Sequence, residues 1–275
     1  MYNKVLGQPI TKEIKELMSE VQTIFPNKQF HISKLEDSIT ELGTSTVPNC
    51  IAFSDTTITD YIAIWIRTDL PIEEFNVVLA EELLHHKQAY EGFPEITCLR
   101  PIRPEISYNS RASEIYRFGL EICSIICDLD AHRQMKTIQI NIEPLLATDL
   151  RNLRNSIDEL NSSELNLKAL KAGLAKFSFF PKYLLFWFDL FDLGFQEYIS
   201  IWQAEIRPWF VKVMPDTMKI WNNLTDFIHS NPIANKESAE KALIITFESL
   251  LSGVPTLAPK KTSDKSIMPL KFNGS

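Results

Sequence analysis

The chain has 275 residues, 45% of them hydrophobic and 23% charged, with a net charge of −7 and a pI near 5.4. That length supports a sizeable core, in one large domain or two small ones, and eight glycines with few polar runs argue against disorder. The acidic balance removes the electrostatic case for nucleic acid or anionic lipid as a partner.

In chain order, Ile14, Leu17, Val21 and Ile24 recur at helical spacing within residues 11–25, and Thr11 stands where an N-cap belongs. The first twenty residues contain no apolar signal core. The expectation is a cytoplasmic chain whose Cys50, Cys98, Cys123 and Cys127 stay reduced. Three strand-like pieces follow at residues 28–35, 49–55 and 59–67, and the alternation of Tyr61, Ala63 and Trp65 with Ile62, Ile64 and Ile66 makes the third the strongest. Pro71 suits the first turn of a helix running from about Ile72 to Tyr90, which Gly92 and Pro94 stop. Residues 91–109 hold three prolines and read as an irregular loop. A second long helix spans about Ser110 to Lys136. On it Cys123 and Cys127 read as small buried hydrophobes.

Beyond Asn141 the pattern is helical, with pieces at 143–160, 163–178, 181–194, 196–213, 215–229 and 236–251, punctuated by Pro181, Pro208, Pro215 and Pro232. The most apolar run, 177–195, is interrupted by Pro181, Lys182, Asp189 and Asp192, which predicts a core helix and no membrane span. Its aromatic residues, Phe179 through Phe191 with Trp187, and Trp202, Trp209 and Trp221 beyond, read as core; a partner groove or dimer face is the other use of such a set. The fold class is therefore α+β and predominantly helical. A small mixed sheet and two long helices form residues 1–140, helices fill 141–255, and 256–275 is a loose tail.

The segment 77–88, "VVLAEELLHHKQ", carries the chemistry. At about 100° per residue, Glu81, His85, Gln88 and Glu74 share one narrow arc, and apolar residues fill most of the rest. A helix that is apolar nearly all round must satisfy its polar stripe with its own groups, with another helix or with a cation. Glu81 and His85, spaced i, i+4, aim at one point, and Glu82 sits one residue round, where a general base would stand. Glu82 with His86 has the same spacing. The plain alternative is the polar face of an ordinary helix, where such pairs add little. On the second helix Glu114, Glu121, Asp128 and His132 fall within one arc and offer further ligands.

The strand "TDYIAIWIR", the short turn and the helix "PIEEFNVVLAEELLHHKQ", followed by "ICSIICDLDAHRQM", resemble the zincin-like metallopeptidases of gluzincin type over about residues 50–140. The resemblance implies a metal-dependent peptidase acting on a peptide or protein, with a sheet strand lying along the substrate backbone. Glu82 would be the general base toward a water that the metal activates. His85 matches the second histidine of the family's H-E-x-x-H, and Glu81 stands where its first histidine belongs. The implied ligands are Glu81, His85 and Asp128, with Glu121, His132 and His86 as second choices. The implied cofactor is a divalent metal, zinc first, with manganese or iron favoured by added carboxylate donors. A set of His85, Asp128 and His132, with Glu81 orienting one ring, would restore two imidazoles. An inactive relative that binds peptide or a protein is the alternative function. A di-iron bundle is disfavoured, because Glu82-Leu-Leu-His85 is the lone E-x-x-H.

Overall fold

The computed structural model describes residues 3–42, 50–56, 58, 60–93, 95–98, 111–171, 176–251 and 267–270. The chain divides into two compact units. One comprises Met1–Glu91 with Ala131–Ala147; the other comprises Gly92–Asp130 with Thr148–Ser275.

The first unit opens with a hairpin of β1 (Lys4–Val5) and β2 (Gln8–Pro9). Its two-residue loop, Leu6 and Gly7, has positive φ at both positions (49° and 83°), the twist that joins antiparallel strands most directly. Helix α1 (Lys12–Ile24) buries Ile14, Leu17, Met18 and Val21 on one face, and Thr11 caps it by accepting from the Ile14 amide. Strand β3 (Gln29–Lys34) leads through a 3₁₀ turn (Leu35–Asp37) into the short helix α2 (Ser38–Leu42). Strands β4 (Ala52–Asp55) and β5 (Tyr61–Ile66) complete a three-stranded sheet ordered β3-β5-β4. It is mixed, since β3 runs parallel to β5 and β4 antiparallel to it.

Helix α3 (Ile72–Glu91) packs against α1, β4 and β5. Its ladder begins at Pro71, whose carbonyl accepts from the Phe75 amide, so the proline sits where it forfeits no helical bond. The buried Asn76 fixes it to the chain's start. Its amide donates to the carbonyls of Pro9 and Ile72, and its oxygen accepts from the Thr11 amide. Lys87 and Glu20 pair at 2.8 Å between α3 and α1. Gly92 follows with φ 78°, the left-handed stop expected from the sequence.

The other sheet face has its own polar anchor. Glu41 on α2 accepts from Trp65 Nε1 (2.6 Å), Ser33 Oγ (3.1 Å) and His31 Nε2 (2.9 Å). Burial works against the charge, but these donors outweigh it and hold the Glu41 carboxyl below its ordinary range. One carboxylate thus ties α2 to β3 and β5, and Trp65 in turn stacks on Phe53 of β4.

In the second unit, β6 (Glu95–Cys98) pairs in parallel with β7 (Ile267–Leu270), inside stretches that carry no regular pattern in the sequence. Of the loop expected over 91–109, Pro94 and residues 99–109 lie outside the described residues, as does the remainder of the 256–275 tail. Helix α4 (Arg111–Thr137) belongs to this unit up to Asp130, and its last turns belong to the first. Then come α5 (Glu143–Ser162), α6 (Glu164–Lys171), α7 (Lys176–Leu193), α8 (Gln196–Ile201), α9 (Arg207–Val213), α10 (Pro215–Ser230) and α11 (Lys236–Leu251). Helix α7 runs through Pro181 instead of starting there. Its buried Tyr183, Phe186, Phe188 and Leu190 outweigh one lost ladder bond. The expected piece 196–213 is broken by a π turn, Trp202–Ile206, between α8 and α9, and Pro208 lies in the first turn of α9. Tyr183 stacks on Phe210 at 3.9 Å and Trp202 packs beside Tyr183, so these three aromatics are core, whereas Phe191, edge-on to Trp202, is exposed. No described helix is long and apolar enough to cross a membrane.

His86 ties α3 to the sheet: its Nε2 lies 3.1 Å from the Ala63 carbonyl and its ring is 1% exposed. A carbonyl only accepts, so Nε2 carries the hydrogen. Burial pushes the ring's pKa down from 6.5 to about 4, against the opposing pull of that carbonyl. Between those values the unfolded chain binds the extra proton and the folded one does not. Folding stability is therefore lost as pH falls from 6.5 toward 4, by up to about 3 kcal/mol from this residue alone. Urea titrations from pH 7 to pH 4 should show His86→Gln losing less stability than the wild type by about that amount. Parallel pH curves would contradict the assignment.

Candidate metal centre

Helix α3 delivers the functional side chains because it is buried nearly all round. From Glu74 to Gln88, only Glu81, His85 and Lys87 keep appreciable exposure. The ligand atoms of Glu81, His85 and Asp128 all lie within 4.8 Å of one another. Glu81 and His85 are one turn apart on α3. Asp128 stands on α4, one turn before His132, on an unbroken helix whose turns from Ala131 onward belong with α3.

Each of the three is held by a separate neighbour. His132, 3% exposed, places Nε2 at 3.3 Å from Glu81 Oε1; a carboxylate only accepts, so the ring donates. His85 Nδ1 lies 2.9 Å from Gln88 Oε1. Ser124, one turn before Asp128, donates its hydroxyl to Oδ2 at 3.3 Å. Outer contacts of this kind orient metal ligands and raise their basicity.

Burial pushes the Glu81 carboxyl up, but the His132 hydrogen bond and the charges of His132 and His85 outweigh it and hold it below its ordinary range. Two carboxyl groups and an imidazole offering ligand atoms this close together are a donor set that could hold a metal ion.

Of the two registers open in the sequence, the geometry assembles Glu81 with His85. His86 is turned to the Ala63 carbonyl. His132 contacts Glu81 while Glu81 itself joins the cluster, so the imidazole supports the carboxylate and the roles imagined for that pair are exchanged. The side chains of Glu114 and Glu121 lie outside the described residues. Glu82 is 7% exposed. Its charge acts on the exposed Cys50, two residues before β4, in the direction that raises the thiol's pKa. Sequence reasoning missed Ser124, whose i, i+4 spacing to Asp128 was a usable signal, and left Gln88 without a role.

Compared with protein-family models, curated protein sequences and solved structures, the chain matches none.

Protein stripped by chelator should be stabilised by a divalent cation, by about 2.7 kcal/mol at a hundred times its Kd. His85→Ala and Asp128→Ala should remove the response, and His132→Ala should weaken affinity about 10- to 100-fold. Thermal melts with Mn²⁺, Fe²⁺ and Zn²⁺ and elemental analysis measure this. Equal responses in wild type and both alanine variants would contradict the ligand set.

Proposed function

We propose that this protein is a metal-dependent hydrolase of peptide bonds, with Glu81, His85 and Asp128 as ligands and Glu82 as general base. The observation that carries the reading is the convergence of two carboxylates and an imidazole, each separately braced, with a fourth buried acid one residue away. The order of strand β5, buried helix α3 and a later helix carrying Asp128 is the order on which the zincin-like resemblance rests, and it supports the reading. The antiparallel β4 is an edge strand beside α3, where an extended chain could be aligned.

A divalent ion in this set supplies Lewis acidity toward a scissile carbonyl and toward water. Two anionic ligands cancel more of its charge than one would, which lowers that power. Their hard oxygens fit manganese and iron as well as zinc. The protein's own part is to hold the set rigid and to move a proton. Glu82 takes a proton from the attacking water as its oxygen bonds to the carbonyl carbon, then returns it to the amine as the C–N bond breaks. His132, Gln88 and Ser124 keep the ligands aimed throughout.

Glu81, in the place of the family's first histidine, favours a second reading. In it the chain is a relative that binds peptide or a protein without cutting it. The two readings separate in one experiment, peptide-library cleavage by metal-loaded protein. Glu82→Gln should keep its metal and lose about 10²- to 10⁴-fold in turnover. A Glu82→Gln variant cleaving at the wild-type rate would overturn the base. Stoichiometric metal with peptide bound but uncut would favour the binding reading.

A further inference from the structure

We propose that Gln88 is a positioning residue that fixes the tautomer of His85, placing the hydrogen on Nδ1 and leaving Nε2 as the atom offered to the metal. The proposal rests on the metal-centre reading for its consequence, while its first test does not need the metal.

A neutral imidazole carries one hydrogen, and its other nitrogen is the only one with a lone pair to give. In water the two nitrogens compete for that hydrogen. Here Nδ1 faces the amide oxygen of Gln88 at 2.9 Å. An amide oxygen has no hydrogen to donate, so this contact forms only when Nδ1 is protonated. The opposite amide orientation would present –NH₂ to Nδ1, move the hydrogen to Nε2 and silence that nitrogen as a ligand. Which end of Gln88 faces the ring therefore decides whether His85 can bind metal through Nε2.

The rest of α3 supports a fixed orientation. Gln88 lies one turn beyond His85 and is 2% exposed, although glutamine ordinarily sits in solvent. Leu84 and Leu83 before it are fully buried, so the turn that carries Gln88 has little rotamer freedom. A neutral acceptor also matters. A carboxylate at 88 would accept from Nδ1 equally well but would add a third negative charge to a set that already holds Glu81 and Asp128. Gln88 supplies orientation without charge, as Ser124 does for Asp128.

The test uses the full chain, ¹⁵N-labelled and chelator-treated, at about pH 8.5, where ordinary imidazoles are neutral. Two-bond ¹H–¹⁵N spectra should show His85 with a protonated Nδ1 and a bare Nε2, the inverse of His86, whose Nε2–H serves as internal reference. A His85 ring protonated at Nε2, or an even mixture, overturns the proposal. Gln88→Leu should release the ring to a mixture and weaken Mn²⁺ or Zn²⁺ binding about 10- to 100-fold. Gln88→Glu should restore the Nδ1–H form, a rescue that a merely packing role would not produce. An unchanged His86 signal certifies that each variant is folded. If wild-type His85 is Nδ1–H and no metal binds, the metal centre fails and the positioning stands. If metal binds equally to Gln88→Leu, the positioning role fails and the metal centre stands.

Discussion

Helix α3 is surrounded by protein yet carries two glutamates, two histidines and a glutamine within two turns. Ionised groups taken out of water destabilise a fold by several kcal/mol unless they are paired. Every placement near the site answers to that constraint. His86 hydrogen-bonds a strand carbonyl and stays neutral. Gln88 meets His85, and His132 meets Glu81. What those contacts leave in place is a group of Glu81, His85 and Asp128 whose ligand atoms lie within 4.8 Å of one another and which could hold a metal ion.

The scaffold is rigid where the site needs it. Asn76 locks the first turn of α3 to the chain's start, Lys87 and Glu20 tie its far end to α1, and His86 pins its middle to β5. On the other side of the sheet, Glu41 holds α2 to β3 and β5 through Ser33, His31 and Trp65. Anchoring of this kind holds the side chains of α3 in place, and a metal ligand set needs that, because ligands misplaced by an ångström lose most of their effect.

Much of this was legible in the residues themselves. The 3.6-residue periodicity, Thr11 and Gly92 marked α1 and α3 to within a residue or two, and the β-branched alternation marked β5. Helical rotation put Glu81 with His85 on one helix and Asp128 with Glu114, Glu121 and His132 on the other; only the resemblance to the zincin-like peptidases joined Asp128 to the first pair. The mostly helical α+β class follows from the periodicities. Other features depend on tertiary contacts that no local pattern encodes. Strands of two residues, β1 and β2, have no periodicity to read. Pro181 is a breaker by local rule, but burial of the aromatic face of α7 overrides it. Glu81–His85 and Glu82–His86 have identical spacing, and the choice between them came from a strand carbonyl far away in sequence. Whether His132 is a ligand or a support for Glu81 depended on how two helices approach, which spacing along either one does not specify.

The account turns on a single ion position, and anomalous diffraction from crystals soaked in Mn²⁺ addresses it most directly. The prediction is one strong peak bounded by the carboxylates of Glu81 and Asp128 and by Nε2 of His85, at bond lengths of about 2.0–2.3 Å. A peak elsewhere on the chain, or an empty site with the Glu81 and Asp128 carboxylates turned away from each other, would contradict it.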